Sequence, residues 1–95
     1  MIKISINDDK ITIKGHAGYG VKGTDIVCAS VSSIAITSIN AIIRIDDKAI
    51  EYKQAEGFIE VNILKHSKYI DIIIQNMVEL LKELEKDYDK FIKIN

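Results

Sequence analysis

Isoleucine alternates with polar residues at the start of the chain. Residues 2–6 follow this pattern, and 11–13 resume it after the turn signal Asn7-Asp8-Asp9. A period of two is typical of strands with one buried face. The N-terminal segment is therefore predicted to form an antiparallel β-hairpin.

Between Thr24 and Arg44 the period changes to that of an amphipathic helix. The polar stripe consists of Ser30, Ser33, Thr37, Asn40 and Arg44, and the apolar side consists of Val27, Val31, Ile34, Ala35, Ile42 and Ile45. Thr24 or Asp25 suits the N-cap, because a short polar side chain there accepts a hydrogen bond from a first-turn amide.

The second half repeats the order of strand, strand and helix. Residues 50–53 and 58–64 are predicted strands joined by a turn at Glu56-Gly57, and Ser67 is the predicted cap of a second helix. The core stripe of that helix consists of Ile70, Ile73, Ile74, Met77, Leu81, Leu84 and Tyr88, and residues 91–94 form a short last strand. The order β-β-α-β-β-α-β favours an α+β sandwich, a mostly antiparallel sheet with two helices, in a single domain over residues 1–95. The strand order in the sheet stays open.

Composition excludes several classes of protein. The formal net charge is −1, which argues against direct nucleic-acid binding. The alternating start is not a signal peptide, and polar residues interrupt every apolar run before it could span a membrane. One cysteine permits no internal disulfide, which favours the reducing cytoplasm. Nearly half of the residues are hydrophobic, a composition that would suit a dimer.

The candidate chemistry lies between the first hairpin and the first helix. Cys28 falls in the first turn of the predicted helix, where free N–H groups and the helix dipole stabilise a thiolate. His16 ends a strand, and the glycine-rich segment 15–23 returns the chain to the helix. An imidazole near the thiol could act as its general base, and helix-start N–H groups could form an oxyanion hole. Strict alternation points His16 away from the core, so an irregularity at Gly15 is predicted.

Each residue also has an ordinary structural interpretation. A lone cysteine in an isoleucine-rich chain is usually a small buried apolar residue. Asp25 could serve only as an N-cap, and Ser32 could bond only to its own helix backbone. His66 is assigned no role. Two histidines and one cysteine give no metal-site spacing, the glycine segment lacks the Gly-Lys-Ser/Thr of a P-loop, and no cofactor is expected.

The same stretch resembles the ribosomal-processing cysteine protease family, Prp. The family pattern is Gly-His-Ala, a glycine-containing loop, and then Asp-Ile-Val-Cys-Ala, a small residue and Val-Ser. The matching positions are Gly15, His16, Ala17, Tyr19, Gly23, Asp25, Ile26, Val27, Cys28, Ala29, Val31 and Ser32. Ser30 departs mildly, since alanine or glycine is more usual there.

The resemblance implies a cysteine endopeptidase. Members of the family remove a short N-terminal extension from a bacterial large-subunit ribosomal protein, number twenty-seven, by cleavage after an aromatic residue. On this resemblance His16 and Cys28 are the catalytic dyad, and Asp25 and Ser32 are supporting residues. The substrate loop contains Gly18, Tyr19, Gly20 and Gly23, with Tyr19 a candidate to stack on the substrate. A homodimer is also implied.

Two alternatives remain at this stage. A ribosome-associated module could bind the same peptide without cleaving it, and would need no thiolate. A small thiol acyl-transfer or redox protein ranks lower, because the chain has no second cysteine and no cofactor motif.

Overall fold

The seven predicted elements are present in the predicted order. The computed structural model describes residues 1–20 and 25–95. The strands are β1 (Ile2–Asn7), β2 (Lys10–Lys14), β3 (Ile50–Ala55), β4 (Phe58–Ile63) and β5 (Ile92–Ile94), and the helices are α1 (Ile26–Ile45) and α2 (Lys68–Asp87). The predicted α+β class is therefore confirmed, and the predicted bounds differ from these by a few residues at most.

The five strands form one sheet in the order β3-β4-β2-β1-β5. The pairs β3–β4, β4–β2 and β2–β1 are antiparallel, and β1–β5 is parallel. The β1–β2 hairpin closes with Asn7 opposite Lys10, so Asp8 and Asp9 form the turn. This order places the end of β2 beside the start of β4, where the candidate site lies.

One face of the sheet is apolar and the other is polar. The inward-facing residues of β1, β2 and β4 pack with the inner stripes of both helices in a single core. The buried residues of these three strands are Ile2, Ile4, Ile11, Ile13, Ile59, Val61 and Ile63. The opposite face has polar pairs such as Lys10 and Glu60, whose Nζ and Oε1 atoms are 3.2 Å apart. The two helices therefore cover one face, and the period-two pattern of the strands follows from this burial.

The first helix has an unusually apolar surface. Val27, Val31, Ala35 and Ile42 are buried as predicted, but the prediction for Ile45 was wrong, since its side chain is 49% exposed. Ile45 is the last residue of α1, and the chain leaves the helical conformation at Asp46. By length and composition alone α1 could cross a membrane. Its inner stripe instead packs in the core, as in the central helix of a folded domain.

The second helix is held at both ends. The Ser67 hydroxyl accepts a hydrogen bond from the Ile70 amide at 3.3 Å, which confirms the predicted cap. Near the other end, Glu85 Oε2 accepts from the Ile94 amide at 2.7 Å. The Ile94 amide on the edge strand β5 therefore has a hydrogen-bond acceptor within the same chain. This bond protects the edge from pairing with another chain.

His66 connects the β1–β2 turn to the first turn of α2. Its Nδ1 atom is 2.6 Å from Asp71 Oδ1, and its Nε2 atom is 2.7 Å from Asp9 Oδ1. The hydrogen bond with Asp71, and then the one with Asp9, raises the pKa of the His66 imidazole above its usual value. No sequence pattern indicates this bridge, because Asp9 and His66 are distant along the chain.

We expect His66→Gln to lower the melting temperature in mild acid and to have little effect in alkali. Since the pKa of His66 is raised in the folded state, its contribution is complete below the unfolded pKa of about 6.5. That contribution disappears as the pH rises through the folded pKa. Thermal unfolding of both proteins between about pH 5 and pH 9 measures the difference. A difference that grows toward high pH would contradict the assignment.

Candidate active site

Six of the eight predicted site residues line one cavity, and Tyr19, which the structure also describes, is not among them. The cavity has a volume of about 520 Å³ and lies between the end of β2, the start of α1 and the β3–β4 turn. Its lining consists of His16, Gly18, Gly20, Asp25, Cys28, Ala29, Ser32 and Glu56. A smaller adjoining cavity of about 210 Å³ shares His16, Cys28 and Ser32 with it. The second supporting residue, Ser32, therefore lies at the junction of the two. Gly23 and Thr24 lie outside the described residues.

Cys28 lies in the first turn of α1, as the sequence predicts. It is partly buried and lines both cavities, so its sulfur is not sealed in the core. The backbone N–H of Ala17 donates a hydrogen bond to Cys28 Sγ at 3.2 Å. An N–H donor in this position can stabilise negative charge that develops on the sulfur as it reacts. The sulfur is therefore accessible from the cavity and has a main-chain donor within hydrogen-bonding distance.

Asp25 is the N-cap of α1 and organises the start of the helix. Its Oδ1 atom accepts hydrogen bonds from the Val27 and Cys28 amides, each at 3.0 Å. Its Oδ2 atom accepts from the Tyr19 amide at 3.1 Å, which ties the glycine-rich segment to the helix. The Cys28 amide is the main cause of the lowered pKa of Asp25. The carboxylate is therefore charged at neutral pH and offsets part of the positive potential at the helix start.

The expected oxyanion hole at the helix start is not available as predicted. The amides of Val27 and Cys28 already donate to the Asp25 carboxylate, and the Ala29 amide donates to the Asp25 carbonyl at 3.1 Å. The sequence predicts an N-cap and a set of oxyanion donors at the helix start as two independent features. In the structure the amides that could serve as oxyanion donors already donate hydrogen bonds to the N-cap residue, Asp25.

The irregularity expected at Gly15 is present as a left-handed backbone conformation. Gly15 has φ of +100°, and a Cβ atom there would lie 2.5 Å from the Met1 carbonyl oxygen. Only glycine fits both constraints. The chain consequently leaves the strand pattern after Lys14, so that Ala17 turns into the core with 4% exposure and its amide faces Cys28. The Met1 ammonium also donates to the His16 carbonyl at 2.5 Å, which fixes the backbone of this turn.

His16 is exposed and lies against the β3–β4 turn. A Cβ atom built on Gly57 would be 2.9 Å from His16 Nε2, so the absence of a side chain at Gly57 makes room for the imidazole. His16 and Cys28 line both cavities, but no hydrogen bond joins these two described side chains. A hydrogen bond between them would therefore need a different side-chain conformation, a change that substrate binding commonly brings about.

We expect Gly57→Ala to impair catalysis by displacing His16. The new methyl group would overlap the imidazole, and φ of +69° would add strain, so kcat should fall roughly 10- to 100-fold. Peptide cleavage and thermal unfolding should be measured together. Gly18→Ala is the comparison for backbone strain, because φ there is +72° and no heavy atom lies within 4 Å of an added Cβ. Since Gly18 lines the cavity, KM is measured separately from kcat in both variants. Equal losses of kcat in the two variants would show that backbone strain causes the effect, and would contradict the displacement of His16.

Tyr19 packs on its own chain. Its ring makes edge-on contacts with Tyr88 at 5.8 Å and with Phe91 at 5.2 Å between ring centroids. These contacts hold the described part of the glycine-rich segment, with Gly18 and Gly20, against the end of α2. The proposed stacking of Tyr19 on a substrate would therefore compete with an existing aromatic cluster.

Three contributors to the site are not predicted by the sequence pattern. These are the Ala17 amide, Gly57 and Glu56, which comes from the β3–β4 turn. The turn itself was predicted from Glu56-Gly57, but its position beside His16 depends on the pairing of β2 with β4. Among residues 1–20 and 25–95, no cluster of three His, Cys, Asp or Glu residues could hold a metal ion.

The model of the family described as Cysteine protease Prp matches residues 1–93 of this chain. The Ribosomal processing cysteine protease Prp of Staphylococcus aureus is 32% identical over 101 aligned positions, which cover 99% of this chain and 95% of that protein.

Two crystal structures of the essential ribosomal processing protease Prp from S. aureus share the fold. One, in complex with a covalently linked product peptide, has a TM-score of 0.87 and 28% identity. The other, in complex with a substrate peptide, has a TM-score of 0.81 and 27% identity. Each comparison covers 99% of this chain and 95% of the S. aureus chain.

Proposed function

The chain belongs to the Prp family and is a cysteine protease, and from this premise we propose that Cys28 and His16 are its catalytic dyad. We propose as its substrate the N-terminal extension of bacterial large-subunit ribosomal protein number twenty-seven. One observation carries the assignment of the nucleophile. The Ala17 N–H donates a hydrogen bond to Cys28 Sγ, in a cavity that His16 also lines. A purely structural cysteine would have no need of this access.

The proposed reaction follows the usual order of thiol proteolysis. His16 takes the proton of Cys28, and the sulfur attacks the scissile carbonyl carbon. The intermediate collapses and expels the new amine, which takes the proton from the imidazolium. Water then attacks the thioester with the help of His16 and releases the new carboxylate. The Asp25 carboxylate accepts hydrogen bonds from the Val27 and Cys28 amides, and these bonds hold the start of α1, and thus Cys28, in place.

Two features support a peptide substrate of this class. The S. aureus relative is a ribosomal processing protease solved with a substrate peptide. The cavity of about 520 Å³ is within the range of sites that accept several side-chain-sized groups. Gly18, Gly20 and Ala29 line it with small side chains, so an extended peptide can approach the sulfur closely.

A homodimer in the cytoplasm is part of the proposal. Ile36 and Tyr52, which are 39% and 48% exposed, border a groove of mixed polar and apolar residues between α1 and β3. Exposed large apolar side chains grouped with polar ones are typical of protein interfaces. Sedimentation equilibrium would measure the mass in solution, and a monomer at micromolar concentration would contradict the dimer. We expect direct binding neither to nucleic acid nor to membranes.

The test of the substrate is cleavage of a synthetic peptide that spans the extension. Mass spectrometry should find one cut, directly after an aromatic residue. A second peptide with that residue replaced by alanine should be cut slowly or not at all. Binding of the first peptide without any cut, by protein with a reactive thiol, would contradict this choice of substrate.

A further inference from the structure

We propose that the backbone N–H of Ala17 is a donor of the oxyanion hole. It would stabilise the negative oxygen of the tetrahedral intermediate that forms when Cys28 attacks a peptide carbonyl. This inference rests on Cys28 being the nucleophile, and extends that assignment by naming the main-chain group that accepts the developing charge.

The donors usually expected at such a site are occupied. In many active sites at a helix start, first-turn amides stabilise the oxyanion. Here the Val27 and Cys28 amides donate to Asp25 Oδ1 at 3.0 Å, and the Ala29 amide donates to the Asp25 carbonyl. The lowered pKa of Asp25 keeps this acceptor charged, so these bonds are costly to break. The oxyanion therefore needs a donor from outside these three amides.

The Ala17 amide is the described donor that reaches the sulfur. Its nitrogen lies 3.2 Å from Cys28 Sγ. Because the oxyanion forms on the carbon that bonds to this sulfur, the oxygen lies within reach of a donor that already touches the sulfur.

The direction of the Ala17 amide is fixed before substrate arrives. The Ala17 methyl group is buried in the core, and the turn around it contains Gly15 with φ of +100° and Gly18 with φ of +72°. The Met1 ammonium holds the preceding carbonyl, that of His16. A donor held in this way loses no orientational freedom during the reaction, which is the requirement for electrostatic stabilisation of an oxyanion.

The Ala17 N–H can stabilise two negative charges in succession, first on the Cys28 sulfur and then on the oxyanion. In the resting enzyme it donates to the sulfur, which bears the charge after its proton passes to His16. As the S–C bond forms, the π electrons of the carbonyl move to oxygen, and the sulfur becomes a neutral thioether-like atom. The N–H then donates to the oxyanion. When the intermediate collapses, the C=O bond reforms and the C–N bond breaks, and the amine takes the proton from His16.

The test removes this N–H by chemical synthesis. Because Cys28 is the only cysteine, a synthetic 1–27 thioester can be ligated to a fragment of residues 28–95 without changing the sequence. One version contains lactic acid in place of Ala17, so an ester oxygen replaces the N–H and the methyl group is kept. The all-amide protein from the same ligation is the control, and thermal unfolding checks both folds.

Two rates separate an oxyanion donor from a group that only holds the thiolate. Alkylation of Cys28 by iodoacetamide forms no oxyanion, whereas peptide cleavage does. We expect the ester to lower kcat about 100-fold or more and the alkylation rate by less than about tenfold. Equal losses in both rates, or an unchanged kcat, would overturn the inference. Failure of the all-amide protein to cleave would instead contradict the proposed function.

A recombinant pair provides a second measurement. Ala17→Pro removes the same N–H and keeps a Cβ atom, whereas Ala17→Gly keeps the N–H and removes the buried methyl group. We expect kcat to fall much further in Ala17→Pro than in Ala17→Gly at equal alkylation rates. Comparable kcat values in two folded variants would contradict the role of the N–H. If Ala17→Pro does not fold, the ester protein decides the question.

Discussion

Cys28→Ala abolishes peptide cleavage, with kcat at least about 10⁴-fold lower than in the unmodified protein. This is the largest effect that we expect from any single substitution. Without the sulfur there is no acyl-enzyme, and the remaining groups can only orient water. The side chain is partly buried and small, so its loss should lower the free energy of unfolding by only about 1 kcal/mol.

Controls separate the loss of chemistry from the loss of structure. Cys28→Ser keeps the size of the side chain but replaces the thiol with a far weaker nucleophile, and should be nearly as inactive. Ser33→Ala changes an exposed position on the same helix and should retain full activity. Initial rates from mass spectrometry and thermal unfolding curves give both quantities. Cleavage at an unchanged rate by Cys28→Ala would remove the assignment of the nucleophile.

The hydrophobic pattern was sufficient to predict the elements of the fold. The alternation in β1, β2 and β4 follows from one buried face, and the stripe from Ile70 to Leu81 follows from the packing of α2 on that face. These are local patterns, which each segment carries by itself. The strand order is not local, because it depends on which edges of two hairpins meet, and the parallel pairing of β5 with β1 has no sequence signal.

The residues of the candidate site could be predicted from the sequence, but the hydrogen bonds between them could not. Cys28 at a helix start and His16 at a strand end follow from element boundaries. The bond from Ala17 to the sulfur depends on the left-handed turn at Gly15, which the sequence indicates only as an irregularity. The double use of Asp25 Oδ1 is a matter of side-chain conformation that no spacing rule provides.

The position of His16 keeps the proposed base out of hydrogen-bonding contact with the thiol in this structure. The imidazole lies over Gly57 and makes no hydrogen bond with the described Cys28 side chain, while both line one cavity. A peptide in the cavity would exclude water and favour rotation of the ring toward the sulfur. This arrangement is consistent with a general base that engages the thiol only in the substrate complex.

His16→Ala should lower kcat by about 10²- to 10⁴-fold, because the thiol loses its base and the leaving amine loses its acid. The truncation should leave the fold intact, since the ring is exposed and lies outside the core. It also creates space beside Gly57 that free imidazole can enter from the cavity. Added imidazole should therefore restore part of the activity in proportion to its concentration, measured as initial rates of peptide cleavage.

The second histidine is the matched control for this experiment. His66 is bridged by Asp9 and Asp71 beyond the start of β2, whereas His16 follows its end, so roughly 17 Å of strand separates the two regions. His66→Gln should cleave the peptide at nearly the normal rate and show no response to imidazole. The two variants thus divide the histidines into one that acts on the sulfur and one that acts on stability. Full activity in His16→Ala, or rescue that is equal in both variants, would require a different base for Cys28.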